Sequence, residues 1–142
     1  MDPLFIIGAG SFASEVANIA IEIGGIDIKG FVDTRLEERQ DELLDDIPIL
    51  SLDDILNFSS SCKIVVALGT TPRDQIAKEV IGLGFEPITL IHPLVHVPLS
   101  CQIGVGCIIG AGVIIGHKTV IGDHVTINRG CLIGHHTKIE DY

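Results

Sequence analysis

From Ile91 to the end, the chain keeps a six-residue beat. Stepping by six from Ile91 gives Val97, Ile103, Ile109, Ile115, Ile121, Ile127, Ile133 and Ile139, so all nine positions are Ile or Val. With 16 Ile and Val among these 52 residues, simple match counting puts chance at about 2 in 10,000. Glycine follows the beat at 104, 110, 116, 122 and 134, and small residues recur at 95, 101, 107, 113, 119, 125, 131 and 137. Such a hexapeptide repeat predicts a parallel β-helix. Each hexad supplies one short flat side, its β-branched residue points inward, and glycine permits the bend. Three hexads close a coil, so residues 18 apart stack at about the 4.8 Å strand spacing.

Upstream of this segment the pattern changes. Residues 1–90 hold 16 acidic and 6 basic side chains and all five Phe, whereas residues 91–142 hold three of each charge and all six His. This places a domain boundary near Leu90–Pro93. Leu4 to Ile7 reads as a short apolar strand, Ser11 to about Ile23 as a helix, and Ile28 to Val32 as a second strand. Lys63 to Leu68 reads as a third strand, with a helix from about Pro72 to Leu83 and a further strand in Glu86 to Leu90. Strands interleaved with helices imply a parallel α/β sheet with right-handed crossovers. Residues 34–46, rich in Asp and Glu, read as a solvated loop or exposed helix.

Composition narrows the function classes. The net charge of −10 lacks the basic face that nucleic acid or an anionic membrane demands. No apolar run approaches the roughly 20 residues of a membrane span, and Met1-Asp2-Pro3 opens no signal peptide, which predicts a cytoplasmic protein. Mean hydropathy of +0.49 is high for a soluble chain and points to surface hidden against other copies of itself. Cys101, Cys107 and Cys131 fall on the small-residue position and read, with Cys62, as reduced packing residues.

Three groups carry candidate chemistry. Gly8-Ala9-Gly10-Ser11-Phe12-Ala13 sits between strand and helix, where backbone amides can cradle a pyrophosphate. Asp33, at the end of the second strand, can accept hydrogen bonds from a ribose or base. A single nucleotide diphosphate suits about 85 residues better than a dinucleotide, and a tight turn without ligand is the alternative. Gly69-Thr70-Thr71-Pro72-Arg73 follows the third strand, where open parallel sheets bind ligands. Arg73 can meet a phosphate there, or Thr70 or Thr71 can simply cap a helix begun by Pro72.

The third group is histidine. His117 and His135 are 18 apart and are expected to stack, with His136, His124 and Asn128 nearby on the same or adjoining rungs. Such a cluster can serve as an acid/base site. Solvated turn histidines and a zinc site are the alternatives.

Phe5 to Gly10, Phe31-Val32-Asp33, Ala67-Leu68-Gly69, Leu90-Ile91-His92-Pro93 and Asn128 to His135 together resemble the bacterial sugar O-/N-acyltransferases of the sialic acid O-acetyltransferase type. The resemblance implies a Rossmann-like nucleotide-sugar-binding domain over 1–90, followed by a left-handed β-helix over 91–142. It implies a homotrimer with active sites between subunits, acetyl-CoA as donor, and an amino or nonulosonic sugar, free or nucleotide-linked, as acceptor, with no metal. Carried over, Gly8, Gly10, Ser11 and Phe12 match the nucleotide turn, Asp33 and Thr34 the base and ribose side, and Gly69 and Thr70 the second loop. Asn128 matches a substrate-side asparagine and His135 the catalytic base, with His117 and His136 supporting.

This sequence also departs from the pattern. Ser11 and Ala13 replace glycines common in the turn, Thr34 stands where a second acid is common, and His136 stands where some members carry the Glu that orients the base. The family's coil continues further, so an end at Tyr142 predicts a shortened chain. Two alternatives to the transferase therefore stand: a nucleotide-sugar-binding module without catalysis, and a zinc hydratase of the gamma-carbonic-anhydrase type. The N-terminal domain argues against the second.

Overall fold

The computed structural model describes residues 2–34, 43–58, 61–69 and 72–142. β1 (Asp2–Ile7), β2 (Ile26–Val32), β3 (Leu43–Leu44), β4 (Ile47–Leu50), β5 (Lys63–Val66) and β6 (Glu86–Pro87) form one sheet in the order β3-β4-β2-β1-β5-β6. Every pairing is parallel except that of β3 with β4. β1 alternates its side chains between two cores. Leu4 and Ile6 pack with α1 (Ser11–Ile23), while Phe5 and Ile7 pack with Ala77 and Val80 of α3 (Arg73–Gly82) and Ile55 of α2 (Leu52–Ile55). Both faces are covered, so the central strands read as continuous apolar runs rather than alternating ones. The architecture is a Rossmann-like parallel sheet with helices on both sides.

Several expected boundaries shift. The third strand stops at Val66, and α3 begins at Arg73 with Pro72 as its N-cap rather than its first helical residue. Thr70 and Thr71, proposed as caps, lie outside the described residues, as do 35–42 of the acidic stretch. Its remainder is neither loop nor helix throughout: β3 and β4 form an antiparallel hairpin around Asp45 and Asp46, both at positive φ (51° and 64°). That is the backbone of a tight hairpin turn, which two aspartates disguise because glycine or asparagine usually marks it. The strand expected over Glu86 to Leu90 divides in two, since Glu86–Pro87 closes the sheet and Leu90–Ile91 opens the coil.

The second half is a three-sided coil. β7 (Leu90–Ile91), β9 (Ile108–Ile109) and β12 (Thr126–Ile127) stack on one face, β10 (Ile114–Ile115) and β13 (Leu132–Ile133) on the next. β8 (Gln102–Ile103), β11 (Val120–Ile121) and β14 (Lys138–Ile139) make the third. Each pairing is parallel and joins residues 18 apart, such as Leu90 with Ile108 and Val120 with Lys138. Ile109, Ile115, Ile121 and Ile127 fill the interior.

Two features of the hexad have reasons beyond those its spacing supplies. The glycine after the inward residue does not chiefly free a bend: a Cβ at Gly110 would lie 2.7 Å from the Arg129 backbone N of the next coil, and one at Gly116 would run into Gly134 and His135. The small position also donates hydrogen bonds. Cys101, Cys107 and Thr119 each reach the carbonyl 15 residues on, at 3.2, 3.1 and 3.1 Å. Thiol and hydroxyl thus play one part, which explains Cys101 and Cys107 in that column.

Helix α1 is sandwiched between sheet and coil, where Leu90 and Ile108 join its core with Leu4, Ile6, Ala13 and Val16. Polar ties flank this seam. His92, buried, accepts the Leu94 N–H on Nδ1 (3.0 Å), so its Nε2 carries the proton and donates to Glu22 Oε2 at 2.6 Å. Arg129 pairs with Glu15, and Arg73 Nη1 donates to Thr126 Oγ1 at 2.9 Å. No helix among the described residues is long and apolar enough to cross a membrane.

Candidate functional site

Two clefts meet at the C-terminal edge of the sheet. The first, about 410 Å³, is lined by Gly8 to Phe12, by Asp33 and Thr34 after β2, and by Ala67, Leu68 and Gly69 after β5. The second, about 670 Å³, lies between sheet and coil and is lined by Glu15, Arg73, Thr126, Asn128 and Arg129. Phe12, Leu68 and Gly69 belong to both, so the clefts run into one another.

The two turn glycines differ in kind. Gly8 has φ +126°, and a Cβ there would lie 2.5 Å from the Ala67 carbonyl oxygen, so glycine is required by the fold. Gly10 has ordinary extended backbone (φ −106°, ψ −174°), and a Cβ there meets nothing within 4 Å. The space it leaves empty is the cleft itself. Gly10 is the N-cap of α1, whose start is capped by no side chain and whose first turn holds no acid. The positive end of the 13-residue helix dipole therefore faces the cleft.

Charge in the second cleft complements this. The chain is acidic overall, yet Arg73 and Arg129 both line the space beside Asn128. Arg73 bonds the neutral Thr126 hydroxyl, and among the described residues no carboxylate pairs with it. Its guanidinium can thus meet an anionic group. Arg129 carries one signal in the sequence, the lone guanidinium in a near-neutral segment, and Glu15 carries none. Asp33 uses its backbone N–H on the Leu50 carbonyl at 3.0 Å, which fixes the end of β2 at the cleft.

The histidines divide among the coil's corners. His117, His135 and His136 share one exposed corner, with ring centroids 5.4 Å apart for His117 and His135, and 4.8 Å for His117 and His136. The expected stack is there. His124 and Asn128, expected beside it, are not: Asn128 faces the sheet from a second corner, and His124 is buried at a third. The reason is the 18-residue turn, because offsets of 7 and 11 residues from His135 fall on other sides. None of the three clustered histidines lines either cleft. His124 stacks on Tyr142 at 5.2 Å, and its Nδ1 has no hydrogen-bond partner among the described residues. Burial pushes its pKa below the usual imidazole value, with Arg73 adding to the shift against Asp123 and Asp141. Among the described residues no group of three or more His, Cys, Asp or Glu is arranged to hold a metal ion.

Residues 3–80, more than half of the chain, match the PglD N-terminal domain. The chain belongs to this family. Its likeness to solved structures extends through the coil. A histidine-to-asparagine variant of perosamine N-acetyltransferase from Caulobacter crescentus, in complex with CoA and GDP-perosamine, is 24% identical with a TM-score of 0.87. The alignment covers 99% of this chain and 66% of that one. The acetyltransferase domain of PglB from Neisseria gonorrhoeae is 28% identical, with a TM-score of 0.75 over 99% of this chain and 72% of that domain. WeeI from Acinetobacter baumannii is 16% identical, with a TM-score of 0.78 over 99% and 73%. This PglD-type chain thus spans about two thirds of the length of the Caulobacter enzyme. Comparison with curated protein sequences gives no match.

Proposed function

We propose that the chain is an acetyl-CoA-dependent acetyltransferase acting on a nucleotide-linked amino sugar in bacterial surface glycan synthesis. The observation that carries this reading is the joined pair of clefts. The diphosphate of the substrate rests on the N-terminus of α1 at Gly10 and Ser11, its base and ribose lie toward Asp33 and Thr34, and its sugar reaches Asn128, with Arg73 near the phosphates. Support comes from the Caulobacter enzyme, whose structure holds CoA and GDP-perosamine together, and from the Neisseria domain, solved with acetyl coenzyme A.

In this reading residues 1–90 form the nucleotide-sugar domain and residues 91–142 belong to a left-handed β-helix. His135 is the general base. The sugar nitrogen attacks the thioester carbonyl, a C–N bond forms, and the C–S bond breaks. His135 Nε2 takes the nitrogen's proton and passes it to the departing thiolate or to solvent. Because His135 lies a corner away from the clefts of its own chain, the reading pairs it with the cleft of a second copy in a homotrimer. The face between those corners supports this, since Ile114 and Leu132 stand 51% and 75% exposed on it. The reading takes both substrates from the cytoplasm and puts the enzyme there.

Acetyl transfer to a GDP- or UDP-amino-sugar, followed by mass spectrometry, tests the proposal. His135→Ala is expected to lower kcat about 10²- to 10⁴-fold, the range for losing a general base, while nucleotide binding stays unchanged. Tight sugar-nucleotide binding with no transfer would favour a binding module instead, and full activity of His135→Ala would end the base assignment.

A further inference from the structure

The third corner of the coil buries a titratable ring that acetyl transfer does not use. His124 is 6% exposed, and its Nδ1 is the one buried side-chain nitrogen or oxygen without a hydrogen-bond partner among the described residues. The corner is shaped around the ring. His124 has φ 57°, a left-handed backbone that costs a histidine strain. One coil back stands Gly106, where a Cβ would lie 2.3 Å from His124 Nδ1, so glycine alone leaves room for the imidazole. One coil on, Tyr142 stacks over the ring at 5.2 Å and only 7° from parallel.

Helix α3 covers this corner and also reaches the cleft. Lys78 Nζ lies 5.5 Å from the centroid of the Tyr142 ring. Five residues earlier on the same helix, Arg73 donates to Thr126, two residues along the coil from His124, and lines the second cleft. One guanidinium thus stands between the buried ring and the cleft. The titratable and charged groups packed around His124 are Arg73 and Lys78 from α3, and Cys107, Asp123, Asp141 and Tyr142 from the coil. Burial and Arg73 oppose the imidazolium, while the two aspartates favour it.

We infer that His124 is a proton site linked to the cleft through Arg73: a diphosphate seated beside Arg73 is accompanied by proton uptake at His124, and sugar nucleotides bind more tightly as pH falls. The inference rests on the reading that places a diphosphate near Arg73. Its cause is electrostatic. In the free protein the guanidinium presents its whole charge to a ring whose Nδ1 has no acceptor, and the neutral imidazole is favoured. Phosphate charge beside the same guanidinium offsets it, so the imidazolium meets less opposition in the complex. Linkage makes the effect reciprocal, because a ligand that favours the proton is itself favoured by the proton. Affinity is therefore flat well above the ordinary imidazole value of about 6.5 and rises below it.

Calorimetry with GDP-mannose and UDP-N-acetylglucosamine between pH 8 and pH 5 tests this, since neither probe gains or loses a proton in that range. Whichever binds more tightly should gain about 5-fold in affinity toward pH 5, the low end for coupled sites. His124→Asn suits the left-handed turn and removes the titrating ring, so its Kd should stay constant. Imidazole ¹⁵N shifts of the wild-type chain need no variant, and the His124 titration should move to higher pH when ligand saturates the cleft. The same pH dependence in wild type and His124→Asn, or a His124 titration that saturating ligand leaves in place, would overturn the inference while the cleft reading stands. Binding of neither probe at any pH would overturn the nucleotide reading and the inference with it.

Discussion

Substituting the two turn glycines separates what the fold needs from what a ligand needs. Gly8→Ala forces a side chain onto φ +126° and against the Ala67 carbonyl at 2.5 Å. That backbone cannot yield cheaply, because the Ala67 N–H is bonded to the Ile7 carbonyl at 2.8 Å. Strain of about 1–3 kcal/mol and overpacking of similar size should lower Tm on the order of 10 °C, at about 2–4 °C per kcal/mol. Gly10→Val meets neither obstacle. Its backbone suits valine, its Cβ enters open space, and the fold loses only a favourable N-cap residue, about 1 kcal/mol. What the valine blocks is the approach of a phosphate to the amides of α1. One or two charge-assisted hydrogen bonds at about 1.5–3 kcal/mol each translate into a Kd raised at least about 10-fold. Calorimetry with UDP, a UDP- or GDP-amino-sugar, CMP-sialic acid and NAD, alongside thermal melting, reads both effects. Unaltered affinity in Gly10→Val would refute the phosphate cradle, and tighter binding of NAD than of any sugar nucleotide would refute the substrate class.

Two further outcomes follow from the coil. Thr119→Val keeps the shape of the buried column but removes the hydrogen bond to the Gly134 carbonyl, which still accepts from the Thr137 hydroxyl at 2.7 Å, so urea unfolding should show a loss of about 0.5–1.5 kcal/mol; a loss under about 0.3 kcal/mol would mean the column is packing alone. His124 has its pKa held down by burial, so the unfolded chain takes up that proton more readily than the folded one. Stability is then full above the ordinary imidazole value of about 6.5 and falls as pH drops through it toward the depressed folded value. Melting curves between pH 8 and 5 should show this slope in the wild type and a shallower one in His124→Asn, which keeps the left-handed turn; identical slopes would count against the assignment.

What the sequence made legible follows from what repeats or alternates. Nine inward Ile and Val residues announce the coil because its interior is one column of identical environments, and β1 announces the sheet because both its faces are buried. The Asp45–Asp46 hairpin stayed hidden because its left-handed pair lacks the usual glycine, and the hydrogen-bonding role of Cys101 and Cys107 because a thiol reads as a small apolar group. Gly8, Gly10, Phe12, Asp33 and Gly69 could be placed together because each ends a strand or opens a helix on the same edge of the sheet.

The coil's side of the site follows a rule of corners instead. An 18-residue turn with three corners sends residues six apart to successive corners, so Asn128 and His135, close in sequence, look in different directions. Counting in units of 18 brings His117 under His135, whereas nearness in sequence alone wrongly draws Asn128 and His124 to the same place. Sheet and coil then meet along α1, through Arg129 with Glu15 and His92 with Glu22, and at the start of α3, through Arg73 with Thr126. Partners in these pairs lie 53, 114 and 70 residues apart, separations that no periodicity reaches. The cleft lined by Arg73, Asn128 and Arg129 exists only because that seam holds, so its selectivity rests on contacts that become visible only when the two halves are docked.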